Sequence, residues 1–346
     1  MDSTTPVRSL VPRAACIAAL LLAPGILACQ SQGLSSKQKA SLVERYTDTA
    51  QEYLKMGELD RAMGQAIKGL ELDPQNEKCK LIRAWALQKR GSTEDILVAE
   101  RIFREILPNG DYRIVLGLAE CLERKGIAFD EAARDIESGQ RVTEASDPKE
   151  RAKALREERD RAWKESIERY EQTIRQHQDD IDAMNGALRV TSLSGRLEES
   201  LEYADRLVTT IRPTREFWEK HILRPEITVE DERLYRQRIR YLLDLEITAR
   251  IHASIVLHEL KRDEKALEQL DVAVALDADR GELYGRRAEL QRALGHPDLA
   301  IGEIDKFLRL SQESYDHPDV KRAWRLRKEC EDEVRTAAAS SGGPAN

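Results

Sequence analysis

Catalytic signatures are what this 346-residue sequence most lacks. It holds no phosphate-cradling glycine loop, no nucleophile elbow and no HExxH. The six histidines, His177, His221, His252, His258, His296 and His317, are scattered; the nearest two stand six apart, which is not one face of a helix, so they share no metal. Five cysteines are present and none has metal-ligand spacing. Carboxylates abound, but in a chain with 34% charged residues they read as solvated faces. No metal and no cofactor are therefore expected. Aromatics are few, with four Phe and four Trp, and the 11 Pro and 18 Gly are too sparse for wholesale disorder. A length near 350 suits two or three compact domains or one extended repeat array. Neither sign of charge dominates: the net charge is −7 with the signs interleaved, which excludes a broad basic footprint for nucleic acid.

The N-terminus differs from everything after it. Arg8 and Arg13 precede an apolar run from Ala14 to Ala28, of secretory length, too short to span a bilayer comfortably and broken by Pro24-Gly25. Residues 1–28 read as a signal peptide. The run ends in Ile26-Leu27-Ala28-Cys29, which resembles the lipobox of bacterial lipoproteins, although Leu27 is a less usual occupant of its position. That resemblance implies cleavage before Cys29 and acylation (palmitate among the chains) of its thiol and amine, and two or more chains anchor stably. Gln30, where an aspartate would retain the protein at the inner membrane, implies an outer-membrane lipoprotein facing the periplasm. An ordinary signal peptide cut after Ala28 is the other reading of the same residues, and it gives a secreted or periplasmic protein. Residues 29–37 are polar and read as a flexible tether. Cys79 and Cys121 read as small apolar fillers of helices; a disulfide among Cys79, Cys121 and Cys330 is left open.

Beyond the tether one period governs the chain. In Tyr53–Pro74 apolar residues stand at helical spacing on both sides of Gly57. Gly91 follows 34 residues later and Gly126 a further 35; Gly195 and Gly295 fall near the same lattice, with Lys261 in the slot 34 before Gly295. Ala50, Ala84 and Ala119 each precede their glycine by seven, and Ala62, Ala266 and Ala300 each follow the glycine slot by five. A period of 34 with small residues at set points predicts helix-turn-helix units. Glycine ends the first helix because a left-handed cap is cheap without a Cβ, and alanine recurs where two helices approach closely.

The pattern resembles the tetratricopeptide repeat (TPR) family, over about 200 residues in the units Val43–Asn76, Glu77–Gly110, Ile181–Pro213, Ile247–Arg280 and Gly281–Glu313, with a weaker unit from Tyr112 to about Thr143. The fold class implied is all-α: a right-handed solenoid of about six units. Residues 38–146 hold the N-terminal units and 181–313 the C-terminal ones. Between them, 147–180 read as one long charged helix, with Asp147 capping it, Pro148 in its first turn and Glu150 completing a capping box. In the second unit the step from Gly91 to Ala99 is eight instead of five, which predicts a longer turn. Residues 213–246 break the repeat and read as an irregular insert, in which Pro225 stops a short helix and a longer one begins near Thr228 and runs into the fifth unit; 314–337 read as a capping helix and 338–346 as a disordered tail.

The resemblance further implies a concave groove lined by each unit's first helix, with Gln51, Lys55, Trp85, Lys89, Arg113, Glu120, Arg124, Asn185 and Arg189 facing it. Trp85 beside Lys55, Lys89, Arg113 and Arg124 would suit an extended acidic peptide. Alternatively Trp85 packs against a neighbouring helix and the charges are solvated. Thr47, Gln51 and Ile82 occupy the places where the best-known groove of the family clamps a chain-terminal carboxylate, so that mode is not implied. The function expected is a non-catalytic interaction scaffold or assembly factor for a protein or peptide partner, held at the membrane through Cys29. Two alternatives are a regulator of a cell-envelope enzyme and a hydrolase with its site in 213–246, where His221 is the sole candidate base.

Overall fold

The computed structural model describes residues 33–141 and 147–341. The signal peptide, Cys29 and most of the tether lie outside the described residues. Among the described residues thirteen α-helices and one short 3-10 turn occur and no strand. The chain divides into two compact units, one ending at Arg90 and one beginning at Gly91.

The first unit holds α1 (Ser36–Lys55), α2 (Leu59–Leu72) and α3 (Glu77–Arg90). Ser35 starts α1 with a reciprocal capping box: its Oγ accepts from the Gln38 amide and Gln38 Oε1 accepts from the Ser35 amide at 2.8 Å. Gly57 ends the helix in the left-handed region at φ 75°. The Glu58 amide donates to the Tyr53 carbonyl at 2.9 Å and the Gly57 amide to Leu54 at 3.2 Å, which satisfies carbonyls the helix would otherwise orphan. The chain can then fold α2 back onto α1. Their contact is made by Ala50 and Ala66, both fully buried, with Ile82 and Leu54 closing over them. Cys79 on α3 seats against Gly69, where an added β-carbon would lie 2.5 Å from its Sγ.

The second unit holds α4 (Thr93–Ile106), α5 (Tyr112–Glu137), α6 (Pro148–Gln176), α7 (Ile181–Leu193), α8 (Leu197–His221), α9 (Val229–Glu259), α10 (Asp263–Leu276), α11 (Gly281–Ala293), α12 (Pro297–Leu310) and α13 (Pro318–Ser341). Each helix packs on the next in the chain, and α5, α7 and α9 also touch in succession, so the first helices of the pairs share a face. Stacking of this kind is the TPR-type α-solenoid architecture read from the 34-residue period. The helix turns repeat one hydrogen-bond pattern: Gly195, Lys261 and Gly295 all have positive φ and donate to the carbonyls of Ser192, His258 and Arg292. Lys261, φ 60°, thus holds glycine's conformation with a side chain on.

Four expectations are corrected. Gly126 does not turn the chain: α5 runs through it as one helix of 26 residues. The flanking sequence is strongly helix-forming, and the space left by the missing side chain is filled by the indole of Trp163. The turn at Gly91 is not longer than that at Gly57; α4 begins two residues after Gly91 as α2 does after Gly57. The three extra residues are nearly a full helical turn, so Ala99 stands one turn further into α4 than Ala62 does into α2, on the same inward face, while both helices keep 14 residues. Residues 213–246 form no separate insert. They prolong α8 and α9 into a hairpin, with Pro213 inside α8 and Thr228 capping α9. Pro213 forfeits one backbone hydrogen bond, to the carbonyl of Thr209. Lastly, α13 is helical to Ser341, past the expected end of the capping helix.

The α8–α9 hairpin is pinned at its base by Glu246, 1% exposed, which faces Arg250 at 3.0 Å and Arg215 at 3.2 Å. Further out Trp218 meets Tyr235 with ring centroids 4.9 Å apart, and the tip leaves Leu223 and Val229 in solvent. A second hairpin, made by the far half of α5 and the near half of α6, leaves the stack at the opposite row of turns and is closed by Ala133, Ile136, Ala152 and Leu155. Cys79, Cys121 and Cys330 are free and buried, as the reading of the first two as apolar fillers expected. No helix among the described residues is long and apolar enough to cross a membrane.

Candidate peptide-binding groove

The shared face of α5, α7, α9 and α11 gathers polar side chains that the sequence leaves far apart. Its anchor is Glu123, 5% exposed. Arg189 on α7 donates to it twice, at 2.7 and 2.9 Å, and the Tyr170 hydroxyl donates at 2.6 Å. Burial pulls the Arg189 guanidinium down, but the Glu123 bonds outweigh it and hold Arg189 charged. Burial and the neighbouring Glu123 push Tyr170 far above the ordinary phenol value, so it remains a donor. Arg189 is therefore a fixed cation with part of its surface in the groove.

Asn185 lies one helical turn before Arg189 on α7, and its buried Oδ1 has no hydrogen-bond partner among the described residues. One turn earlier still, Asp182 accepts from the Tyr241 hydroxyl of α9 at 2.9 Å. His252 on α9 completes the patch. Burial, and then the charges of Arg189 and Arg286, lower its pKa, so it is a neutral imidazole at pH 7. The floor thus offers one fixed cation, an unspent amide and a neutral histidine, a set suited to hydrogen-bonding an extended backbone and one acidic side chain.

Of the residues expected to face the groove, Glu120 and Arg189 come within electrostatic reach of each other, and Asn185 shares their face. Arg124 lies exposed further along α5. Arg113 is taken by its own helix cap: it donates to Asp111 at 2.6 Å and holds that carboxyl below the usual range. Lys55, Trp85 and Lys89 belong to the first unit; Lys55 pairs with Glu52 at 2.8 Å, Trp85 is half-buried and Lys89 exposed. Glu123, Asp182, Tyr241 and Arg286 went unremarked in the sequence, where His252 read only as a scattered histidine and Tyr170 as part of an apolar helix stripe, and none of the six was expected in the groove. The repeat arithmetic could have found two of them, since His252 and Arg286 occupy the same place in consecutive units.

His221 is not built into a catalytic cluster. Its Nδ1–H donates to the Phe217 carbonyl at 2.7 Å and its ring stacks on Phe217, with centroids 3.8 Å apart. Among the described residues no group of histidine, cysteine and carboxylate side chains is disposed to hold a metal.

No family model and no curated protein matches the chain. Among solved structures it is similar to PilF of Pseudomonas aeruginosa, at 12% identity over 85% of this chain and 99% of that one, with a TM-score of 0.46. MamA of AMB-1 gives 11% identity over 70% and 95%, TM-score 0.41. YrrB, described as a TPR protein with an unusual peptide-binding site, gives 16% over 68% and 86%, TM-score 0.40. Likenesses at these scores assign neither site nor partner; the groove is defined by the chain's own geometry, an α-helical repeat face centred on Arg189, Glu123 and Asn185.

Proposed function

We propose that this chain is a non-catalytic docking scaffold that holds a protein or peptide partner in the groove of α5, α7, α9 and α11, and that a lipid on Cys29 tethers it to the periplasmic face of the outer membrane. The observation that carries the docking role is the groove floor. Arg189 is held charged and partly exposed by a buried carboxylate, and beside it the buried Oδ1 of Asn185 has no hydrogen-bond partner among the described residues. A repeat that needed only stability would gain by filling those positions with apolar side chains. An extended peptide would bring an acidic group to Arg189 and pair its backbone with the Asn185 amide once that side chain turns toward the groove. The anchoring rests on the Ile26–Cys29 motif.

Two measurements test the reading. A photo-crosslinking amino acid in place of Glu282, exposed on α11 within reach of His252, should capture a discrete partner in native membranes, and Asn185→Ala with Arg189→Met should abolish that capture; capture unchanged by the pair would overturn the groove. Cys29→Ala should move the protein from the membrane fraction to the soluble one, and retention after that change would overturn the lipid tether.

A further inference from the structure

A second surface lies away from the groove, where α5 outruns its neighbour. Helix α4 has 14 residues and α5 has 26, so at 1.5 Å per residue α5 is longer by about 18 Å. The overhang, paired with the first turns of α6, leaves a ledge beside the start of α4. The ledge encloses a cavity of about 800 Å³. Along α5 its wall is the ridge Arg124, Ala128, Ala132 and Ile136, one residue per turn, with Phe129 beside it. Leu97 of α4, 42% exposed, forms the opposite lip.

Charges of both signs border the ledge, and the unpaired cations are at the turn between α5 and α6. Arg124, Lys125, Arg141 and Arg151 line it against Glu94 and Glu131, on a chain whose net charge is −7. Lys125 is taken by Glu100 at 2.9 Å. Arg141 and Arg151, both exposed, have no acidic partner among the described residues. We infer that the ledge is a docking site for a short amphipathic helix of a protein partner, apolar toward Ala128 and Ala132 and acidic on the flank that meets Arg141 and Arg151. Two alanines at the centre of the ridge let a helix axis approach closely, about 18 Å of ridge matches three turns of helix, and such a helix would cover the stretch of α5 that α4 is too short to reach. Charge complementarity then selects an acidic ligand over a basic one.

The test uses the full chain and two labelled 14-residue helical peptides that share one leucine stripe, one flanked by Glu and the other by Lys. Fluorescence anisotropy should give the Glu peptide at least tenfold tighter binding. Arg141→Glu with Arg151→Glu, at two exposed positions that leave folding intact, should reverse the preference, and Ala132→Arg should weaken both peptides tenfold. Asn185→Ala in the groove should change nothing, which separates this site from the other. Equal affinity for the two peptides, indifference to Ala132→Arg or to the double charge reversal, or occupation by decanoate in place of peptide would each overturn the inference.

Discussion

A β-carbon on Gly126 would fall 2.2 Å from Nε1 of Trp163, closer than any real side chain approaches another. Contacts of the same type flank it in the stack, Phe103 on Gly117 before it and Tyr170 on Gly186 after it. A large ring on one helix is received by a glycine on an adjacent one, which lets the helices approach while each contact buries an aromatic face. Gly126→Val should therefore overpack α5 against α6 and cost about 1–3 kcal/mol. Urea denaturation followed by tryptophan fluorescence checks it, and a red-shifted native spectrum would accompany the loss.

Lys261 sits in a conformation that costs an ordinary residue roughly 1 kcal/mol or more. Its side chain is exposed. Lys261→Gly should raise the unfolding midpoint by an amount corresponding to about 1 kcal/mol without altering the denaturant slope, while Gly195→Lys should lower it.

Arg189→Met removes two of the three hydrogen bonds to a buried carboxylate. The expected cost is roughly 3 kcal/mol, the low end for a broken buried pair, because the Arg189 side chain is 36% exposed and so partly screened. Adding Glu123→Leu should recover most of that loss. A double-mutant cycle by chemical denaturation measures it; two losses that simply add would contradict the pairing.

His252 gives a pH dependence of definite sign. Its folded-state pKa lies below the ordinary 6.5, because of burial first and then Arg189 and Arg286, with Glu282 and Glu123 opposing. As pH falls through 6.5 the unfolded chain takes up the proton before the folded one does, so stability is complete above that value and declines below it. Melting temperatures between pH 7.5 and 5.5 should show the decline, and His252→Gln should flatten it.

The turn positions and the start of α6 at Asp147-Pro148 were legible because backbone constraints act locally: a left-handed cap and a proline in the first turn depend on adjacent residues. Gly126 shows the limit. It lies on the same lattice as Gly57, yet one glycine is needed for its φ and the other for its missing side chain, and only the tertiary partner Trp163 tells them apart. The groove divides similarly. Asn185, Glu120 and Arg189 follow from register, whereas Glu123 looks like any of 63 acidic residues until burial singles it out. Asp182 and Tyr241, 59 positions apart, are joined only by the stacking of α7 on α9.

Both helical arms leave the stack where the chain reverses direction. Adding seven residues to each helix of an arm, two turns down and two turns back, would extend its reach by about 10 Å while every floor residue kept its neighbours. Arm length and cleft chemistry can thus vary independently, so a lineage could retune how far the molecule extends sideways without renegotiating what it holds.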